Sequence, residues 1–154
     1  MQAMHVVLIT DNNYAMPTGV AISSLKTNKA PGYECVVYVL CDHVDGENQK
    51  RLASLSGDEL TVRLMPVSQM PDFEQIEQKT EHVSFAALFK FYLPRIFGQL
   101  DKILYLDGDM LVLKDLRTLY DTDVSGHNAA VVKDMGPVVK YQPSILKKLQ
   151  IDRE

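Results

Sequence analysis

Short continuous apolar runs alternate with amphipathic stretches along this chain, and the alternation predicts strands and helices in turn. Val6 to Ile9, closed by Thr10, has the unbroken apolar character of a strand buried on both faces. Asp11-Asn12-Asn13 then supplies turn and capping chemistry. Pro17 suits the first turn of a helix reaching about Asn28, with Val20, Ile22 and Leu25 among its apolar positions. Pro31-Gly32 breaks the chain, and Glu34 to Leu40 predicts a second buried strand. Asp45 to Ser56 reads as a helix closed by Gly57, and Leu60 to Met65 as a third strand ended by Pro66.

Residues 66–83 are polar and punctuated by Pro66 and Pro71, the pattern of an irregular connection with some helix. Ser84 suits the cap of a further helix whose Phe85, Leu88, Phe89 and Tyr92 share one face, and Pro94 predicts a kink or break at Leu93. Ile103 to Leu106 and Leu111 to Leu113 read as two short strands flanking Asp107-Gly108-Asp109. One helical turn over Asp115 to Tyr120, a strand over Asn128 to Lys133 and a terminal helix over Ser144 to Gln150 complete the series. Strands alternating with helices imply right-handed crossovers: an α/β fold with a mostly parallel sheet and helices on both faces. Ligands of such sheets sit beyond the carboxyl ends of the strands, where Asp11 to Tyr14 and Asp107 to Asp109 both fall. One crevice is therefore expected to hold both.

Composition narrows the field. With 154 residues, a single domain over residues 1–154 is expected. A net charge of −4 without any Lys/Arg cluster argues against nonspecific nucleic-acid binding. Cys35 and Cys41 lie in one apolar run, Tyr33 to Cys41, which as a strand sets them about 20 Å apart at ~3.3 Å per residue. A disulfide needs α-carbons within about 7 Å, so these two do not bridge. Reduced thiols, no segment long enough to span a bilayer and no basic-then-apolar leader predict a cytoplasmic protein.

The chemistry concentrates at Asp107-Gly108-Asp109. Two hard oxygen donors at a strand end can hold a divalent cation, which in turn neutralises a diphosphate. Gly108 between them permits unusual backbone angles and close approach of a ligand. A buried pair of acids is costly, so a cation or solvent is expected beside them.

The run Val7 to Tyr14, with Val20 to Leu25 after it, resembles the amino-terminal region of glycosyltransferase family 8, and Asp101 to Tyr120 resembles that family's D-x-D region. That family includes bacterial lipopolysaccharide galactosyl- and glucosyltransferases and glycogenin. Ser84 to Pro94 resembles the helix carrying a basic donor-binding residue, so three matches stand in the family's order over roughly residues 5–135. The resemblance implies a Rossmann-like nucleotide-diphospho-sugar transferase domain of the GT-A type. It further implies a UDP-sugar donor, Mn2+ or Mg2+ as the cation, and retaining hexosyl transfer to an acceptor such as lipopolysaccharide or another glycan. Asp107 and Asp109 would be the metal ligands. Thr10, Asp11, Asn13 and Tyr14, with Gly108, would belong to the donor site, Asp11 and Asn13 meeting uracil and ribose and Tyr14 stacking on the base. Lys90 stands where the family usually has arginine, replacing a bidentate fork with a point charge. His82 and Asp134 fall where relatives place residues near sugar or acceptor. The resemblance names no catalytic residue.

Blander readings use the same residues: a plain Asx-rich turn at Asp11-Asn13, a solvated Lys90, an incidental His82 and a surface Asp134. His5, His43 and His127 match no metal-ligand spacing. Haloacid-dehalogenase phosphatases also pair aspartates after an apolar strand, but as D-x-D-G-T near the start of a chain. Here the glycine lies between the acids and the motif comes late. The family's later F-N-A-G-like segment and late metal-binding histidine have no counterpart before Glu154. Truncation at the carboxyl end is thus expected. It makes a non-catalytic nucleotide-binding or assembly fragment the alternative, and predicts self-association through the surface left uncovered. Peripheral attachment at the inner membrane face would fit a lipopolysaccharide acceptor.

Overall fold

The apolar runs pair as a parallel sheet. In the computed structural model, which describes residues 3–70 and 89–132, β1 (Met4–Asp11) lies between β2 (Cys35–Asp42) and the short β4 (Leu104–Tyr105), and β3 (Leu60–Pro66) flanks β2. All three pairings are parallel, with Met4 opposite Cys35, Cys35 opposite Leu60, and Val6 opposite Leu104. Parallel neighbours require crossovers. Helix α1 (Ala15–Asn28) connects β1 to β2, and α2 (Gly46–Ala53) connects β2 to β3. Single turns of 3-10 helix follow at Val67–Gln69 and Lys90–Tyr92, then α3 (Leu93–Ile96) and, beyond β4, α4 (Arg117–Tyr120). The chain divides into two compact units, residues 1–122 and 123–154. The sheet belongs to the first.

Alternation along the strands fills both faces of this sheet. Met4, Val6, Leu8, Cys35, Val37, Val39, Leu60 and Val62 point to one side and meet Ala21, Ile22 and Leu25 of α1 and Leu52 of α2. Val7, Ile9 and Leu40 point to the other side, against Val67, Phe89, Leu93 and Phe97. Each fully buried aliphatic side chain contributes roughly 1.5–3 kcal/mol, which is why runs with no polar face are retained in the central strands. The α/β reading with covered faces is borne out. Helix α2 starts where Asp45 caps it, the carboxylate accepting the Asn48 amide at 2.8 Å. It ends at Ala53, short of Gly57, and Gly57 instead bridges to Leu60.

Three local expectations change. Pro94 does not simply break a helix at Leu93. Residues 90–92 wind tightly and α3 begins afresh at Leu93, placing Pro94 in a first turn where its missing N–H costs nothing. Leu111 to Leu113 forms no strand. The Val112 amide donates to Ser24 Oγ at 3.0 Å and its carbonyl accepts from Asn28 Nδ2 at 3.0 Å, so side chains of α1 take the place of a neighbouring strand. Within the second unit, residues 128–132 form no strand either, and Val131 and Val132 are exposed. A short apolar run without ladder bonds has nothing to hold it extended. Ser84 to Leu88, Lys133 and the terminal helix over Ser144 to Gln150 lie outside the described residues.

Candidate functional site

The direction of sheet growth reverses at β1: β2 and β3 extend one way and β4 the other. Such a switch point opens a crevice beyond the carboxyl ends of the strands on either side. Here those ends lead into Asp11-Asn12-Asn13-Tyr14 and Leu106-Asp107-Gly108-Asp109. The two segments expected to share a crevice are thus brought together by the parallel pairing of Val6 and Val7 with Leu104 and Tyr105.

The first segment is held by its own polar side chains. Asp11 Oδ1 accepts the Tyr14 amide at 2.8 Å, closing the Asx turn that launches α1. Asn12 Oδ1 accepts from the Asp45 amide at 3.0 Å and from Asn48 Nδ2 at 2.9 Å, tying the turn to the start of α2. The Asp45 carboxyl is held below its usual range chiefly by the Asn48 backbone amide, which donates to its Oδ1 at 2.8 Å. Asn13 is exposed, and Tyr14 keeps 51% of its surface open. No acidic residue lies within the first turn of α1, and the negative charge at its amino end is that of Asp11, which accepts the amide of the N-cap residue Tyr14.

The second segment carries the acids in the open. Asp107 and Asp109 are both exposed, so solvent meets their charge and no burial penalty arises. Tyr105 donates its hydroxyl to Asp107 Oδ1 at 2.8 Å. Burial raises the Tyr105 hydroxyl well above the usual phenol range, and the bond to Asp107 and the charges of Asp107 and Asp109 raise it further. It therefore stays a donor. Gly108 takes an ordinary backbone angle; among the described glycines, positive φ occurs at Gly32 and Gly126. The glycine is needed for space, since a methyl group there would stand 2.6 Å from Thr18 Oγ1 and 3.4 Å from the Ile9 carbonyl. Thr18 is completely buried, and its hydroxyl donates to Thr10 Oγ1 at 2.9 Å; Thr10 Oγ1 in turn donates to the Asp11 carbonyl at 3.1 Å.

Behind the acidic turn, Asp115 anchors the chain. Its Oδ2 accepts from the Ala30 amide at 2.6 Å and the Tyr33 hydroxyl at 2.7 Å, and its Oδ1 from the Arg117 amide at 2.7 Å. Desolvation alone would raise the Asp115 carboxyl, but these bonds outweigh it and hold the group below its usual range.

The sequence signature described as Glycosyl transferase family 8 matches residues 5–153. The chain belongs to that family. General stress protein A of Bacillus subtilis (strain 168) is 30% identical over 141 residues, which cover 88% of this chain and 48% of that protein. Lipopolysaccharide 1,2-glucosyltransferase of Escherichia coli (strain K12) is 30% identical over 139 residues, covering 89% and 40% respectively. Among solved structures, the galactosyltransferase LgtC in complex with donor and acceptor sugar analogs superposes with a TM-score of 0.74 at 26% identity, over 97% of this chain and 52% of that one. The WbbM bifunctional glycosyltransferase gives 0.68 at 26% identity over 79% of this chain. The chain spans about half the length of General stress protein A and of LgtC. The parallel sheet with its helices is that of these GT-A-like glycosyltransferases, as the sequence led us to expect.

Within this family-8 domain, the residues singled out from sequence fall in three groups. Thr10, Asp11, Asn13, Tyr14, Asp107, Gly108 and Asp109 lie on the two segments that meet at the switch point. Lys90 is exposed on the 3-10 turn before α3, whose neighbours Phe89 and Leu93 pack on the sheet face opposite α1. His82 and Asp134 lie outside the described residues. Sequence reasoning missed Thr18 and Tyr105. Their signal was faint: a threonine on the buried face of an otherwise apolar helix, and a tyrosine two residues before the acid it holds.

Proposed function

We propose that this family-8 domain binds a UDP-sugar at the switch point and takes part in metal-dependent, retaining hexosyl transfer to a glycan acceptor such as lipopolysaccharide. The observation that carries the reading is the meeting of two ligand-grade segments, Asp11 to Tyr14 and Asp107 to Asp109, at the one place where a sheet of this order opens a crevice. The glycan acceptor follows from relatives such as the Escherichia coli lipopolysaccharide glucosyltransferase.

The residues present suit a small divalent cation. Asp107 and Asp109 are hard oxygen donors of the kind Mg2+ and Mn2+ prefer. Among the described residues no group of three or more histidine, cysteine or acidic side chains stands together, so these two carboxylates would share the ion with phosphate oxygens of the donor. When bound, the cation supplies charge neutralisation at the departing diphosphate. Tyr105 holds the exposed Asp107 by one oxygen, and the second carboxylate oxygen would be the one to meet the ion. Tyr14, half open, offers its ring to the base, while Asp11 and Asn13 meet base and ribose. Lys90 offers a point charge toward donor phosphate.

Titration calorimetry with UDP, in the presence and absence of MnCl2, tests the assignment. Tighter UDP binding with Mn2+ is expected, and loss of that gain in Asp107→Ala. Equal affinity with and without Mn2+ in the unaltered chain overturns the metal site. Among the described residues no helix is long and apolar enough to cross a membrane. Peripheral attachment at the inner membrane face belongs to this reading.

A further inference from the structure

We propose that Thr18 is a positioning residue for the acidic turn, and that residues 18 and 108 form a matched pair setting how far Asp107 and Asp109 stand from the Asp11 loop. The inference rests on reading the crevice as a nucleotide and cation site. Thr18 belongs to α1 and touches neither acid, yet it is completely buried between the two segments. Its Oγ1 lies where a side chain on residue 108 would begin, 2.6 Å from an ideal methyl position. Swinging that oxygen away costs a bond: threonine has two rotamers open to it in a helix, but the one seen here donates to Thr10 Oγ1 at 2.9 Å, and the other gives that contact up. Thr10 Oγ1 passes the connection on to the Asp11 carbonyl at 3.1 Å. A line of two hydroxyls thus runs from the acidic turn to the loop that launches α1.

The contact is one of volume as much as of hydrogen bonding. The same methyl position is 3.7 Å from Thr18 Cβ, an ordinary separation, so the obstruction comes from Oγ1 alone. The Ile9 carbonyl, at 3.4 Å, closes the space from the β1 side. A side chain at 108 must therefore either push the acidic turn outward or break the Thr18–Thr10 bond. Both alter the geometry in which a cation held by Asp107 and Asp109 meets a diphosphate whose nucleoside rests on Asp11 to Tyr14. Removing Oγ1 should make room for a methyl at 108 and return the turn to its place.

The test is the ratio of UDP affinity with MnCl2 to that without it, measured by calorimetry on the full chain for the unaltered protein, Gly108→Ala, Thr18→Ala and the double variant. Thermal melts run in parallel identify any variant that is unfolded. Gly108→Ala should reduce the Mn2+ enhancement by about tenfold, the scale of one lost buried hydrogen bond. The double variant should recover an enhancement within about twofold of Thr18→Ala alone, the non-additivity expected of two positions in contact. A purely structural contact would shift the melts and leave the enhancement ratio unchanged. An enhancement that survives Gly108→Ala, or a double variant no better than Gly108→Ala, overturns the pairing and leaves the nucleotide-site reading intact. A flat ratio in the unaltered chain overturns the metal reading, and this inference with it. Should Gly108→Ala alone not fold, the double variant decides: folded with restored enhancement supports the pairing, anything else refutes it.

Discussion

Replacing Asp115 by asparagine should loosen the stretch that carries the acidic turn, and the structure sets the scale. The carboxylate accepts three hydrogen bonds, two at Oδ2 from Ala30 and Tyr33 and one at Oδ1 from Arg117. Asparagine matches the shape but presents a single acceptor oxygen. If that oxygen faces Ala30 and Tyr33, its NH2 group confronts the Arg117 amide; if it faces Arg117, the Ala30 amide is stranded and Tyr33 must turn its hydroxyl to accept instead of donate. At about 1 kcal/mol net per bond, and somewhat more for charged acceptors, one or two lost bonds amount to about 1.5–3 kcal/mol. Partial exposure of Asp115 favours the lower half of that range, since water reaches part of the site. For a chain of this size each kcal/mol moves the midpoint by roughly 2–4 °C, so a fall of about 3–8 °C in Tm is expected. The pH dependence sharpens the assay. The folded carboxyl titrates below its usual range, so its stabilisation is complete above the unfolded value near ~4 and is lost as pH falls through the lower folded value. Urea unfolding of the two proteins at pH 7 and at successively lower pH should show the difference shrinking only at the acid end. A difference below about 0.5 kcal/mol at neutral pH, the size of an ordinary surface substitution, would refute the clamp.

Tyr105→Phe keeps the ring and removes the hydroxyl that holds Asp107, so Mn2+-dependent UDP affinity should fall severalfold while Mn2+-free UDP affinity stays unchanged in the same titration. Burial pushes the Cys35 thiol up to about 12 and the Cys41 thiol up to about 11. Neither should react with a thiol reagent at pH 8 until urea unfolds the chain. Because folding raises both values, their contribution to stability is present below the unfolded thiol value and declines as pH rises through the folded ones. Urea midpoints should therefore drop as the pH is raised above ~9. Leu111 and Leu113 expose 61% and 79% of their surfaces beside the docked Val112, and β4 is a two-residue edge strand. Self-association weakened by Leu113→Lys is expected in sedimentation, and a monomer at all concentrations would count against it.

What could be read from sequence divides along a physical line. Strands β1 and β2 were legible because the middle of a strand covered on both faces is an unbroken apolar run, and β3, at the edge, because buried Leu60 and Val62 alternate with exposed Thr61 and Arg63. The strand ends were legible for the complementary reason, since Asp11-Asn12 and Pro66 stop ladders. Leu111 to Leu113 looked the same and was not a strand. Its inner residue, Val112, is buried as in a strand, but its backbone groups are taken by Ser24 and Asn28. Local sequence records the apolar run and is silent on which donors, many residues away, will meet its backbone.

The candidate site shows the same division. The acids and the Asx turn announce themselves because their chemistry resides in their own side chains. Gly108 announces itself as well, but for the wrong reason: a glycine between two acids suggests a special backbone angle, whereas its angle is ordinary and the need is for space. That space is defined by Thr18, ninety residues earlier, whose hydroxyl is invisible as a site residue because it faces inward from a helix. Asn12 makes the converse case. It sits among the expected ligand residues, yet its side-chain oxygen is already committed to Asp45 and Asn48. The side chains left to meet a ligand are those the fold has not used, and the fold's use of them is decided by contacts distant in sequence. Identity of residue type thus locates the crevice, while the packing of α1 against β1 and the acidic turn determines which of its polar groups remain available.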